Sequence, residues 1–379
     1  MKQLLLFLLL PTFAFSSVKK FVATYQQSGE LQEASPPLPQ NTITPAAGPL
    51  IGQDSFDFII DAELLVWYSA ITDLSYATRG QSASSGSDIS PTQTTFVSTK
   101  KEALDRDWSP GLRLGFGAVT PHDGWDVYGT WTYFYNSYSN TSSVSPFNSS
   151  DFSQTLTGNP IGTKALTSPW FLNPNQDFFQ AVRANGALLF NQIDLELGRK
   201  FWISCHLSLR PFAGVRIYWS RMHFSVNGSR PSAANADLLR SGSVYQQKSW
   251  AVGILTGLDT AWEFVRNWNI YAKGAIALPY GKTWIRRNGS ELSIDGTGTL
   301  NQNLRATTHD AIYKTQPFID LALGLRWDRA FDTFRILVDA GWESHLLINY
   351  NKLFGGTDLP STNGDLTLAG VVIRGRIEF

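Results

Sequence analysis

Residues 56–68 read FDFIIDAELLVWY. On an extended chain Phe56, Phe58, Ile60, Ala62, Leu64, Val66 and Tyr68 share one face, with Asp57, Asp61 and Glu63 on the other, because successive side chains of a strand point to opposite sides. The run is longer than an ordinary globular strand. It suits a tilted strand that crosses a bilayer in about 9 to 11 residues and extends beyond it.

The alternation returns in four pairs, each joined by a short connection. The first pair sets Leu112, Leu114, Phe116 and Ala118 before a turn at Pro121, His122, Asp123 and Gly124, then Trp125, Val127, Trp131, Tyr133 and Tyr135. The second runs through Leu189, Ile193, Leu195 and Leu197, then Leu207, Leu209, Ala213, Val215, Ile217 and Trp219. The third has Trp250, Val252, Ile254, Leu258, Trp262 and Phe264, a turn at Arg266 to Trp268, then Ile270, Ala272, Ile276 and Leu278. The fourth has Ile319, Leu321, Leu323, Leu325 and Trp327, then Ile336, Val338, Ala340 and Trp342. A last strand places Val371, Ile373, Gly375, Ile377 and Phe379 opposite Arg374, Arg376 and Glu378.

Between the pairs, residues 77–107, 139–180, 222–247, 286–312 and 351–365 are rich in Ser, Asn, Thr and Gly, lack a period and read as loops. Short turns therefore alternate with long loops, as in outer-membrane barrels. A first strand, four pairs and a last strand make about ten, with room in 139–180 for a further hairpin and hence twelve. The expected fold is all-β: a transmembrane antiparallel up-and-down β-barrel over residues 56–379.

The apolar face of such a barrel meets lipid, and the charged face lines the interior. An Arg facing the lipid midplane would cost about 2 to 4 kcal/mol. The candidate pore-lining residues are thus Arg113, Arg210, Arg216, Arg326, Arg374 and Arg376, with Asp194, Glu196, Asp259, Asp320, Asp339 and Glu343. Trp67, Tyr68, Trp125, Trp131, Tyr133, Tyr135, Tyr218, Trp219, Trp262, Trp268, Trp284, Trp327 and Trp342 sit near strand ends and are candidates for interfacial girdles.

Upstream, Lys2, the apolar run Leu4 to Leu10 and the small residues Ala14, Ser16 and Ser17 have the pattern of a secretory signal peptide over 1–16. Residues 17–55, with Pro36, Pro37, Pro39, Pro45 and Pro49, read as a flexible periplasmic lead-in. Nothing later reaches the roughly 20 apolar residues of a spanning helix. Charged residues are only 16% and aromatics 13%, which suits a surface in contact with lipid. With 31 basic and 31 acidic residues, nothing points to nucleic acid.

The single Cys205 cannot form an internal disulfide. His309 beside Asp310, near the external rim, is the best enzymatic candidate, whereas His345 near Glu343 faces the lumen. No metal-ligand spacing, nucleophile elbow or phosphate loop is present, so neither a catalytic residue nor a metal or cofactor is expected.

The stretches from Trp108 to Gly117 and from Pro121 to Tyr128, with Asp61 to Trp67, resemble the pore-forming outer-membrane proteins of Legionella and chlamydia-related bacteria, the major-outer-membrane-protein-like porins. The resemblance implies a porin in a bacterial outer membrane that passes small hydrophilic solutes by diffusion. The cysteine-rich chlamydial members are cross-linked by disulfides, a feature that one cysteine does not support here. Phe379, with Ile377 and Ile373 behind it, resembles the terminal signal read by the barrel-assembly machinery. The partners so implied are that machinery, outer-membrane lipid and the solutes. The competing expectations are a structural or adhesive barrel acting through its external loops, and a rim enzyme at His309.

Overall fold

The computed structural model describes residues 43–45, 56–82, 96–147 except 106 and 122, 163–172, 178–230, 238–294, 298–331, 333–353 and 363–379. The expected signal peptide, His122 and all of the expected lead-in except residues 43–45 lie outside them.

Ten strands form the wall: β1 (Asp57–Ile71), β2 (Trp108–Val119), β3 (Trp125–Ser143), β4 (Ala181–Arg199), β5 (Leu207–Arg230), β6 (Leu238–Val265), β7 (Trp268–Ile294), β8 (Phe318–Ala330), β9 (Arg335–Asn351) and β10 (Gly364–Glu378). Each pairs antiparallel with the next. β10 returns to β1 from Leu366 opposite Ile71 to Glu378 opposite Ile59. Beyond that register the Phe58 amide donates to the Phe379 carbonyl at 2.7 Å, and the Phe379 amide to the Phe58 carbonyl at 2.9 Å. The ring is closed, so its backbone groups are satisfied between strands as hydrocarbon requires.

The accessibility pattern is inverted relative to a water-soluble sheet. Along β1, Asp57, Asp61 and Glu63 are buried while Phe58, Ile60, Leu64 and Val66 are exposed. In water both halves of this arrangement would be unfavourable, since apolar surface and buried charge each cost free energy. Lipid on the outside removes the first cost, and ion pairing inside removes the second. On β6 the exposed apolar face runs from Trp250 to Trp262. At about 3.3 Å per residue and a tilt of about 40°, that stretch is about 30 Å tall, close to an outer-membrane apolar band.

The expectations on the loops are corrected. Residues 139–143, 222–230, 238–247 and 286–294 are not loop but the outer ends of β3, β5, β6 and β7, the last three of which are 24, 28 and 27 residues long. A further strand, Leu300–Thr315, pairs with the outer half of β7, from Tyr280 opposite Thr315 to Ile294 opposite Leu300. Above the membrane the outward face meets water and carries polar residues, so the apolar alternation that marks a strand in lipid disappears. The stretch 77–107 contributes Ala77–Ser82 and Phe96–Glu102 to a small three-stranded sheet completed by Lys164–Thr167.

The opposite end holds the tight turns. Asp123 and Gly124 have φ of 66° and 70°, left-handed conformations that suit the short reversal closed by the Thr120 amide on the Trp125 carbonyl. Asn267 has φ 66°, and its amide donates to Glu263 Oε1 at 3.0 Å. Of the lead-in, Thr44 and Pro45 pair with Trp202 and Phe201 beside the β4–β5 turn. Cys205 is exposed in that turn and Thr307 is exposed at the other end. A membrane-impermeant maleimide applied to intact cells should therefore modify a Thr307→Cys, Cys205→Ala variant and leave Cys205 of the unaltered protein unmodified. The reverse labelling would invert the topology.

Candidate functional site

The interior is built from the inward parity of the ten strands, and in its lower half charges are paired into a lattice. Arg376 lies 3.0 Å from Asp61, which also accepts from the Tyr128 hydroxyl. Gly115 stands against that bond, where a Cβ would collide with both side chains. Arg326 and Arg374 share Asp339, Arg326 at 2.8 Å, and both guanidinium groups lie over the Tyr271 ring. Arg210 bridges Asp126, Glu196 and Asp259, the last at 2.9 Å, and Lys273 meets Glu196 at 2.9 Å.

Above these, the pairs reach across the lumen. Arg113 of β2 lies 2.6 Å from Glu63 and 3.0 Å from Glu343 of β9. Arg216 of β5 lies 2.7 Å from Asp194 and 2.6 Å from Asp320 of β8, which His345 also contacts at 2.8 Å. Eleven of the twelve expected lining residues border one cavity of about 360 Å³; Asp339 is the exception, hidden behind Arg326 and Arg374. Their charges are paired rather than isolated. Each of the six arginines lies within ion-pair distance of a carboxylate.

The expectation of a polar lumen throughout is corrected by what caps this cavity. Trp67, Phe134, Phe190, Tyr218 and Phe318 point inward and are buried. Trp67 lies 5.6 Å from Phe134 and 4.8 Å from His345, and Tyr218 lies 5.0 Å from Phe318. Arg113 and Arg216 lie beneath Trp67 and Phe318, at 5.5 Å and 5.1 Å. Trp67 and Tyr218 are therefore not girdle residues. Strand parity excludes them, since Tyr68 and Trp219 beside them take the outward positions.

Higher still, residues 170–172 and 178–179, from between β3 and β4, pack inward. Trp170 packs on Phe224 and Tyr245, its ring nitrogen donating to the Ser75 carbonyl at 2.7 Å, and Phe171 packs on Phe179. The Tyr350 hydroxyl of β9 donates to Ser220 Oγ of β5 at 2.9 Å, across the lumen. Gln247 donates to the Tyr350 carbonyl at 2.9 Å. This layer was missed because residues 139–180 are mostly polar. The runs Trp170-Phe171-Leu172 and Phe178-Phe179 were the available signal.

His309 is exposed opposite Arg286, and Asp310 takes the other face of its strand. Among the described residues, no group of three His, Cys, Asp or Glu side chains could hold a metal.

No curated protein matches the chain. Among solved structures it is similar to the outer membrane protease OmpT from Escherichia coli, at 12% identity, covering 86% of this chain and 98% of that one with a TM-score of 0.36. It is also similar to the P. putida toluene transporter TodX, at 10% identity, 88% and 92% coverage and a TM-score of 0.25. A Pseudomonas aeruginosa FadL homologue follows at 9% identity, 86% and 90% coverage and 0.24. The family described as Legionella pneumophila major outer membrane protein precursor matches residues 53–379, which takes in all ten strands. The chain belongs to that family and is a β-barrel of the bacterial outer membrane.

Proposed function

We propose that the barrel is closed at rest and acts as a structural outer-membrane protein that holds its long external hairpins above the membrane. The observation that carries this reading is the Tyr350 to Ser220 hydrogen bond, which joins strands four places apart in a ring of ten. Side chains that meet across the lumen narrow the path open to water, which supports a closed barrel. The aromatic layer of Trp67, Phe134, Phe190, Tyr218 and Phe318 below it supports the same conclusion. On this reading Arg113, Arg210, Arg216, Arg326, Arg374 and Arg376 are struts between strands rather than a selectivity filter.

Diffusion of small hydrophilic solutes is the second reading, favoured by the charged cavity of about 360 Å³ below the cap. It requires the aromatic layer to part. Planar bilayer recordings separate the two. The unaltered protein should give no stepwise conductance, and the Trp67→Ala, Phe318→Ala double variant should give steps. Steps from the unaltered protein would sink the closed-barrel reading.

A further inference from the structure

We propose that the outward flank of β5, β6 and β7, immediately above the outer aromatic girdle, binds the phosphate groups of an anionic glycolipid in the outer leaflet. The register places the residues. Trp219 stands beside Trp250, which stands beside Lys282, and Lys282 lies 5.1 Å over the Trp284 ring. One step further from the membrane, Arg221 is directly opposite Lys248. The next step sets His223 beside Gln246 and Gln246 beside Arg286. Strands lie about 4.8 Å apart and successive outward positions about 6.6 Å apart, so these basic groups fall within reach of one or two phosphates.

Three observations point to an anionic ligand. Like charges placed directly opposite on neighbouring strands repel. Arg221, Lys248 and Arg286 are exposed and make no ion pair among the described residues, whereas each inward-facing arginine of the barrel lattice does. Between Trp219 and Ser229 on β5, Arg240 and Trp250 on β6, and Tyr280 and Ile294 on β7, no Asp or Glu takes an outward position: the one carboxylate there, Glu291, is buried. The basic flank also sits at a defined height, where lipid headgroups meet water, with tryptophans at the hydrocarbon boundary below it. Further out, Arg183, Arg240 and Arg305 line a concavity of about 490 Å³ together with one carboxylate, Glu291, so three basic groups face one acidic group there. The remaining strands do not repeat it: the outward residues at this height include Tyr68 and Ala70 on β1, Ser137 and Ser139 on β3, and Ser344 and Leu346 on β9. The charge is local, as a site requires, and the inference holds whether or not the lumen conducts.

The test titrates refolded protein in neutral detergent with diphosphoryl lipid A, with its dephosphorylated form, and with inorganic phosphate alone. Diphosphoryl lipid A should bind, and Arg221→Gln, Lys248→Gln, Arg286→Gln should weaken it about a hundredfold, at roughly fivefold for each charge removed near an anionic lipid. Lys100→Gln, Lys101→Gln, Lys164→Gln, an equal charge change on exposed residues elsewhere, should not. Without lipid the triple variant should be at least as stable as the parent, because the Arg221–Lys248 repulsion is gone. Unchanged affinity in the triple variant, equal binding of the dephosphorylated lipid, or saturation by inorganic phosphate alone would each overturn the proposal. Should the triple variant not fold, the salt dependence of the unaltered protein decides: binding must weaken as salt rises, and insensitivity to salt would overturn it.

Discussion

Replacing Arg216 by Met should destabilise the barrel by about 3 to 5 kcal/mol, the cost of removing one partner from a buried ion network. Arg216 is 3% exposed and holds Asp194 and Asp320, each 8% exposed, beneath the aromatic cap. Its loss leaves two carboxylates facing each other with only His345 to serve Asp320. Urea unfolding of the refolded protein, followed by the mobility difference between heated and unheated samples, measures the loss. The triple replacement Arg216→Met, Asp194→Leu, Asp320→Leu should recover most of it, because an apolar set of similar volume leaves no charge unpaired. A single replacement costing under about 1 kcal/mol would mean that water reaches this layer, as in an exposed ion pair.

The second large effect is expected at the closing seam. Removing residues 377–379 should nearly abolish folded protein in the membrane, read as loss of the heat-modifiable band. The segment supplies the Ile377 and Glu378 pairings to Ile60 and Ile59, and Phe379 supplies two reciprocal bonds to Phe58. Without it, the end of β1 faces lipid with bare N–H and C=O groups, each costing several kcal/mol in hydrocarbon. The Phe379 ring stands 6.2 Å from Phe58, and Phe58 6.4 Å from Phe116, on the outward face. Phe379→Ala keeps the backbone bonds and should lower the inserted yield by a smaller amount. We propose that this difference measures the ring's part in assembly, and equal yields of the two variants would remove that role.

The wall was legible because lipid enforces its code on every strand. Residues 56–68 alternate visibly since each outward side chain must be apolar and most inward ones in the lower half are charged. The same enforcement explains where legibility ended. Inward positions near the outer end carry Leu65, Trp67, Phe190 and Tyr218, so both faces are apolar there and alternation cannot tell inside from outside. Beyond the girdle neither face is constrained by lipid, and β6 from Leu238 to Gln247 looks like a polar loop. The candidate lining residues were found by parity, but their pairing was not, because partners such as Arg113 and Glu343 are 230 positions apart. Only closure of the ring brings them together.

The struts also have a mechanical consequence. A closed sheet of ten strands can flatten into an ellipse with little loss of backbone bonding, because strand pairs pivot about their hydrogen bonds. Arg113 to Glu343 and Arg216 to Asp320 are braces of fixed length, each spanning three strands of the circumference. With Tyr350 to Ser220 above them, they tie the cross-section at more than one height. Lateral pressure from the bilayer then meets a stiff cylinder, and bending is left to β5, β6 and β7 where they rise clear of it.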